Sequence, residues 1–214
     1  MTPHPSAKQR RDIPTLVKDS NLVEEKRRQI VEAAVGLFVR KGFHQATTRE
    51  IAREAGFSTG LLYEYVSSKE DVLYLVCDSI HREMEMRLRE ELEEGRTPLE
   101  TLERAIESYI RACDRMQDSI LLIYRETASL NGESRGDVLE HEERITAFFE
   151  RILDEGVKAG TFRLHAKKSV RLMAHTIVVL GHMWAFRRWY LREAFTLDEY
   201  IRHQSSLILG EVAG

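Results

Sequence analysis

The stretch Thr47–Lys69, TTREIAREAGFSTGLLYEYVSSK, decides the fold. Thr47 and Glu50 have the S/T-x-x-E spacing of a helix capping box, and Gly56 is placed to end that helix in a left-handed conformation. Ser58 is suited to cap a second helix that begins directly after it. The pattern therefore predicts two short helices joined by a tight turn. In a helix-turn-helix of this size, the second helix enters the major groove of DNA.

This stretch and its flanks resemble the DNA-binding domain of the TetR family of bacterial transcriptional regulators. The resemblance runs without a gap from about Glu24 to Val76, through EEKRRQIVEAAVGLFVRKGFHQATT and LLYEYVSSKEDVLYLV. The order GF–TT–IA–AG–LYxY–SK at these spacings is highly specific, whereas a helix-turn-helix pattern alone is not. The resemblance implies an all-α fold, with a three-helix DNA-binding domain followed by a six-helix domain for ligand binding and dimerisation.

Composition is compatible with a helical protein that has a sizeable core. Of the 214 residues, 43% are apolar and 31% are charged, and no apolar run approaches the roughly 20 residues that a membrane span needs. The start MTPHPSAKQRRD has no apolar core of a secretory signal, so we expect a cytoplasmic protein without a membrane partner. Cys77 and Cys113 lie at helical core spacing, which favours reduced thiols over a disulfide.

The charge distribution favours a nucleic-acid partner, although the net charge of −3 alone argues against one. Residues 1–69 contain 12 Lys or Arg and 8 Asp or Glu, a net charge of +4, which leaves −7 for the remaining residues. A basic N-terminal part on an acidic body is suited to phosphate contact. Chance asymmetry is the alternative.

Breaks in the hydrophobic pattern predict three parts: a flexible arm over 1–20, the DNA-binding domain over 21–68 and the ligand-binding and dimerisation domain over 69–214. The arm is polar, and its basic residues could contact phosphates or have no role. Asn21 and Glu24 form the predicted cap of the first helix. Six further helices are predicted to follow the head, over about 69–94, from 97, from 118, over 137–159, over 167–191 and from 197.

The face of the second short helix that meets DNA follows by elimination. Phe57, Leu62 and Val66 are apolar and are expected to face the core. The residues expected to face outward are therefore Thr59, Gly60, Tyr63 and Glu64. Thr59 could contact a base edge, and Gly60 would let the backbone approach the groove.

The family resemblance implies further DNA contacts. By that resemblance, Tyr63 and Tyr65 donate to phosphates, as do Thr48 and Lys69 at helix N-termini, where the helix dipole also favours anions. Arg49 would reach the backbone or a base. Ordinary packing is the alternative for both tyrosines.

The predicted ligand-binding residues combine apolar or aromatic walls with two cations, and plain core packing is the alternative for each wall residue. Arg187 and Arg188 could bind a phosphate or carboxylate, or neutralise the C-terminus of their own helix. His175 and His182 lack a third ligand, so no metal site is predicted. The full set of candidates is Tyr109, Tyr124, Phe149, Met173, Ile177, Trp184, Arg187 and Arg188.

These features predict a repressor that binds a palindromic double-stranded operator as a homodimer and is released by a small apolar effector. A loose C-terminal similarity to acyl-CoA-responsive TetR regulators suggests an acyl-CoA, and no resident cofactor is expected. The last two helices would form the dimer, with Gly181 allowing close helix approach. A helical enzyme and a protein-binding adaptor are the alternatives, but the chain has no nucleophile elbow, Walker loop or H-E-x-x-H motif, and no catalytic residue is predicted.

Overall fold

The computed structural model describes residues 11–90, 96–164 and 166–213, and within these ranges the chain is helical and contains no strand. The described residues form ten α-helices, one more than predicted, and a single 3₁₀ turn at Thr127–Ser129. The α-helices are α1 Ser20–Lys41, α2 Thr48–Glu54, α3 Thr59–Tyr65, α4 Lys69–Arg89, α5 Pro98–Arg115, α6 Gln117–Glu126, α7 Gly132–Lys158, α8 Lys167–Phe186, α9 Arg188–Ala194 and α10 Leu197–Ala213. None of them is both long and apolar enough to cross a membrane, as far as the described residues go.

The helices form two compact units. The first unit comprises residues up to 79 together with 125–140, and the second comprises residues 80–124 and those from 141 onward. Helices α4, α6 and α7 each pass from one set of residues into the other.

Within the first unit, α1, α2 and α3 form the predicted helix-turn-helix. The Thr47 side chain accepts a hydrogen bond from the backbone of Glu50 and the Glu50 side chain accepts from the backbone of Thr47, which completes the capping box. Gly56 has φ of +75°, the left-handed conformation that favours glycine, so the predicted helix stop is confirmed. The apolar faces of these helices meet in the core, where Leu62 and Val66 are fully buried.

The chain before α1 differs from the prediction. The side chain of Asp19, and not Asn21, caps α1 by accepting from the backbone N–H groups of Asn21 and Leu22. Residues 11–19, assigned from the sequence to a flexible arm, are packed: Ile13 is 2% exposed, and the backbone N–H of Leu16 donates to the Glu64 carbonyl over 2.9 Å. Residues 1–10 of that arm lie outside the described residues.

Arg11 fixes this segment within the first unit. Its guanidinium lies 2.8 Å from the buried carboxylate of Asp71 and donates to the Ser134 hydroxyl over 2.7 Å. Its backbone N–H donates to Asp137 over 3.1 Å. Sequence patterns did not reveal this because the partners are about 60 and 125 residues away along the chain.

In the second unit, α8 packs on α5 around a glycine. A β-carbon at Gly181 would lie 2.5 Å from the ring of Tyr109 and 2.9 Å from the sulfur of Cys113. Such distances are far inside van der Waals contact, so the position requires glycine. The close approach that Gly181 permits is thus to α5 of the same chain, and not to a second protomer as expected.

Several helix ends differ from their predicted positions. Helix α8 ends at Phe186 and not near 191, and a separate short helix, α9, follows from Arg188. No Gly or Pro marks this break; instead Arg188 and Arg192 of α9 pair with Asp118 and Asp114 at 2.7 and 2.6 Å. Helix α7 begins five residues earlier than predicted, at Gly132, and α4 ends at Arg89 before reaching 94.

Candidate functional site

The exposed side of the helix-turn-helix carries two hydroxyl groups that meet. Thr48, the first residue of α2, and Tyr63, in α3, have hydroxyl oxygens 3.1 Å apart. The Tyr63 side chain is 45% exposed. One of these hydroxyls donates to the other. A phosphate next to the N-terminus of α2 would find one free O–H donor there, or both once that bond opens, together with the helix dipole.

The other residues of the predicted interface differ in exposure. Thr59, the first residue of α3, is half-buried, and Gly60 beside it is exposed. Arg49 is exposed and forms no ion pair within the described ranges. By contrast, the ammonium group of Lys41 donates to both carboxylate oxygens of Glu50 over 2.7 Å. The hydrogen bonds from Lys41 and Thr47 lower the pKa of that carboxyl to about 2.

Tyr65 does not share this surface. Its side chain is 3% exposed and its ring centroid lies 6.4 Å from that of Phe57. Its backbone carbonyl accepts a hydrogen bond from the guanidinium of Arg27 over 3.0 Å. The packing interpretation therefore fits Tyr65 better than the phosphate-donor role.

Lys69 begins α4 as predicted, but its ammonium group points into the first unit. It donates to the backbone carbonyls of Phe43, His44 and Ala46 over 3.0, 3.3 and 3.1 Å. It also lies 4.3 Å from the centre of the Phe43 ring, a cation–π distance. All three N–H donors of the ammonium are thus used to hold the turn between α1 and α2, and Lys69 is a structural clamp instead of a free phosphate ligand.

The C-terminal end of α6 holds the same turn. Glu126 is 4% exposed; its carboxylate accepts from Arg125 over 2.8 Å and from the backbone N–H of Phe43 over 3.4 Å. Arg125 also donates to the carbonyl of Phe38 near the end of α1 over 3.2 Å. The ion pair between Arg125 and Glu126 is thereby attached to the end of α1.

The second unit contains a small cavity that is partly open to solvent and mostly apolar. Its volume is about 20 Å³, about the room that one water molecule needs. Three of the helices that line it, α4, α6 and α7, are those that continue into the first unit. The lining residues are Ile80, His81, Met84, Tyr109, Ile120, Ile123, Tyr124, Glu142, Ile145 and His182.

His182 lies between two of the cavity tyrosines. Its Nε2 atom is 2.8 Å from the Tyr109 hydroxyl, and its Nδ1 atom is 2.8 Å from the Tyr124 hydroxyl. Burial lowers the pKa of His182, so the ring is neutral at pH 7 and offers one donor and one acceptor. The two tyrosines use both, and burial raises the pKa of the Tyr124 phenol to about 12, so it stays protonated.

Glu142 is the one carboxylate among the lining residues. Its only ion-pair partner in the described ranges is Nε2 of His81, 3.8 Å from the Oε1 atom, longer than a hydrogen bond. Burial alone would raise the pKa of Glu142. The interaction with His81 and the nearby imidazoles outweigh it, and the pKa of Glu142 lies below its usual value.

Only two of the eight predicted ligand residues, Tyr109 and Tyr124, line this cavity. Phe149 is buried behind Tyr109, with ring centroids 5.5 Å apart, and Trp184 donates to Asp114 from a buried position. Met173 and Ile177, on α8, are absent from the lining. His81, Glu142 and His182 were missed, because histidines and a glutamate in helical sequence are indistinguishable from surface positions until the helices are packed.

The two predicted cations differ in their surroundings. Arg188 is paired with Asp118 at 2.7 Å. Arg187 is exposed, lies 5.1 Å from the centre of the Trp189 ring and has no carboxylate partner within the described ranges. No group of three or more potential metal ligands occurs in the described part of the chain.

Comparison with known proteins gives a family for both parts of the chain. The family model "Bacterial regulatory proteins, tetR family" matches residues 30–74, and the model "Tetracyclin repressor-like, C-terminal domain" matches residues 95–210. The HTH-type transcriptional regulator HbdR of Aromatoleum sp. (strain CIB) is 32% identical over 92% of this chain and 85% of its own length. The chain belongs to the TetR family. It is therefore a transcriptional regulator that binds DNA, and not an enzyme.

Solved structures of TetR regulators have the same fold. A TetR-family regulatory protein from Rhodococcus RHA1 superposes with a TM-score of 0.77 at 23% identity, covering 88% of this chain and 97% of the other. AibR in complex with isovaleryl coenzyme A and operator DNA superposes with a TM-score of 0.71 at 18% identity, covering 85% and 97%. At these identities the similarity shows the fold alone. Effector binding is a property of the TetR family as a whole, whose regulators bind small molecules.

Proposed function

We propose that this TetR regulator represses transcription as a homodimer on a palindromic operator and is released by an acyl-CoA whose acyl end enters the cavity of the second unit. The observation that carries the proposal is the lining of that cavity by α4, α6 and α7, the helices whose other ends belong to the DNA-binding unit. Because it acts on the chromosome, we place the protein in the cytoplasm.

The proposed DNA contacts are those that the exposed surface supports. Thr48 and Tyr63 would donate to one phosphate, and Arg49 would add a free cation. Thr59 and Gly60 at the start of α3 would face the base edges. Tyr65 and Lys69 are left out, because the first is buried and the second is bound to three carbonyls.

The last two long helices support the proposed homodimer. Leu172 and Val179 on α8 are seven residues apart, hence on one face, and are 68% and 43% exposed. Leu207 on α10 is 64% exposed. Apolar side chains that are exposed in rows on neighbouring helices are typical of a surface that a second copy covers.

The acyl-CoA assignment is supported by chemistry at two places in the second unit. The cavity has apolar walls suited to an acyl end. Arg187 is an exposed cation beside the indole of Trp189, a pair suited to a phosphate and an adenine ring of coenzyme A. AibR, which has the same fold, binds isovaleryl coenzyme A.

Release would follow from the small size of the cavity. About 20 Å³ is smaller than an acyl chain, so a chain that binds there would displace some of the helices that line the cavity. Tyr124 on α6 lines the cavity, and the next two residues, Arg125 and Glu126, hold the end of α1 and the turn before α2. A ligand that favours the expanded form shifts the population away from the form that fits DNA.

Operator binding is tested by a gel shift on the DNA upstream of the protein's own gene, followed by footprinting. We expect Tyr63→Phe to weaken binding several-fold, because one phosphate donor is lost. Tyr65→Phe is the matched control, since the Tyr65 side chain is 3% exposed and packs near Phe57, and it should bind like the wild type. Equal binding by wild type and Tyr63→Phe would contradict the assigned role of Tyr63.

The effector is tested by titrating ligands into the protein–operator complex. Acyl-CoAs of several chain lengths are compared with planar aromatic and cationic compounds. Acyl-CoAs should release the DNA, and Arg187→Ala should raise the concentration that is needed, whereas Arg187→Lys should largely preserve the response. Release by aromatic or cationic compounds alone would exclude an acyl-CoA as the effector, while the proposed repressor function would remain supported.

A further inference from the structure

The polar atoms of the cavity differ in how much hydrogen-bonding capacity they have left. The neutral ring of His182 has one donor and one acceptor, and the hydroxyls of Tyr109 and Tyr124 engage both nitrogens at 2.8 Å. The imidazole therefore has nothing to offer a ligand. Tyr109, fully buried against it, is likewise already bonded.

The carboxylate of Glu142 retains most of its capacity. An ionised carboxylate has about four lone-pair sites and no donor, and the contact with His81 at 3.8 Å uses at most one of them. The low pKa of Glu142 means that the group is charged at pH 7. A ligand end that enters the cavity thus meets a hydrogen-bond acceptor with a negative charge.

The rest of the lining consists largely of branched aliphatic side chains and one methionine. Ile80, Met84 and Ile145 are each no more than 6% exposed and line the cavity together with Glu142. A second carboxylate among these groups would be repelled by Glu142 and would lose part of its hydration, which is unfavourable on both counts. A hydroxyl on an apolar chain would replace its lost water with a charge-assisted hydrogen bond.

We propose that Glu142 selects effectors whose buried end is apolar but carries a hydroxyl or another hydrogen-bond donor, and that it rejects effectors that end in a carboxylate. This rests on the proposed function in taking the cavity as the effector site. The anionic part of the ligand then stays outside the cavity, and Glu142 is a specificity-determining residue that contacts the ligand.

The test compares three thioesters of equal chain length by calorimetry: hexanoyl-CoA, 6-hydroxyhexanoyl-CoA and adipoyl-CoA, which end in a methyl, a hydroxyl and a carboxylate. The wild type should bind the hydroxyl form about tenfold more tightly than the methyl form, as expected for a hydrogen bond to a charged acceptor, and adipoyl-CoA most weakly. Glu142→Gln should reduce the hydroxyl preference to about threefold or less and improve adipoyl-CoA binding about tenfold.

Glu143→Gln is the control. Glu143 is the exposed neighbour of Glu142 on α7, so this substitution removes the same charge outside the cavity. It should preserve the wild-type order of affinities. If Glu142→Gln and Glu143→Gln behave alike, or if adipoyl-CoA is the tightest ligand of the wild type, the selection by Glu142 is overturned. Operator affinity without ligand serves as the check that each variant is folded.

A second series without coenzyme A separates this proposal from the acyl-CoA assignment. It consists of 1-hexanol, hexyl methyl ether and hexanoate, followed by NMR titration. Suppose that the thioesters do not bind, but that hexanol binds in preference to the ether only when Glu142 is present. The acyl-CoA assignment is then wrong, and the proposed selection by Glu142 is supported. If the thioesters release the operator regardless of their terminal group, the repressor proposal is supported and the proposed selection by Glu142 is wrong. If neither series binds, both are overturned.

Discussion

The ammonium group of Lys69 lies 4.3 Å from the centre of the Phe43 ring and donates to the backbone carbonyl of the same residue over 3.0 Å. Two more carbonyls of the turn, those of His44 and Ala46, complete its bonding. The first residue of α4 is thereby joined to the connection between α1 and α2. The position of the helix-turn-helix on the end of α4 depends on this side chain.

Lys69→Met should lower the free energy of unfolding by about 1–3 kcal/mol, since three acceptors lose a charged donor and the thioether cannot replace it. Urea denaturation measures the change. Arg49→Met is the matched control: Arg49 is an exposed cation without an ion pair in the described ranges, and its loss should change stability by no more than about 0.5 kcal/mol. Equal destabilisation by both substitutions would contradict the role of Lys69 as a clamp on the turn between α1 and α2.

Arg49→Met should instead act on DNA binding. The slope of log affinity against log salt is negative. Losing one phosphate contact per half-site should make it less steep by about one unit for each half-site. Fluorescence anisotropy of a labelled operator at several salt concentrations measures that slope. Arg40→Met is a useful comparison, because Arg40 is already paired with Glu54 and should leave the slope nearly unchanged. An unaltered slope in Arg49→Met would remove Arg49 from the interface.

Leu207→Asp should convert the homodimer to monomers. The substitution would bury a charge at the proposed interface, where its desolvation is uncompensated. Sedimentation velocity at micromolar concentration distinguishes the two states. Leu139→Asp introduces the same charge at another exposed position, on α7, where 51% of the side chain is accessible, and should remain dimeric. A wild-type protein that sediments as a monomer would refute the dimer itself.

Stability should fall as the pH is lowered through about 6.5, in part because of His182. Burial lowers the folded-state pKa of His182 below its ordinary value of 6.5, so the unfolded chain binds the proton first and is favoured as pH falls. One such group contributes at most about 1.4 kcal/mol per pH unit. His182→Gln should flatten the stability curve between pH 7 and 5, whereas the exposed His203→Gln should not. Parallel curves for wild type and His182→Gln would contradict the buried neutral ring.

Local signals predicted the helix-turn-helix and most helix starts. The capping box at Thr47 and the stop at Gly56 occur as predicted, and the helix predicted from 97 begins with a capping box of Thr97 and Glu100. These features depend on hydrogen bonds and backbone angles within four residues, so the sequence alone contains them. The break after Phe186 does not depend on such signals, because ion pairs with Asp114 and Asp118, about 70 residues earlier, accompany it.

The candidate sites were predicted less well than the fold, for the same reason. Tyr63 and Tyr65 are two residues apart and chemically identical, and only the packing against Phe57 separates the buried one from the exposed one. Glu142 occurs in the run EHEER, which is typical of a solvated helix face. Its place in a cavity follows from the approach of α4, α5, α6 and α8, which no local pattern records.

The proposed repressor recognises a palindromic DNA sequence through a pair of helix-turn-helix units. Binding sites can be selected from a random duplex library with the wild-type protein. We expect an enriched inverted repeat whose half-sites present major grooves about one helical turn, or a multiple of one turn, apart. A library that shows no enriched motif, or one that returns only isolated single half-sites, would contradict it.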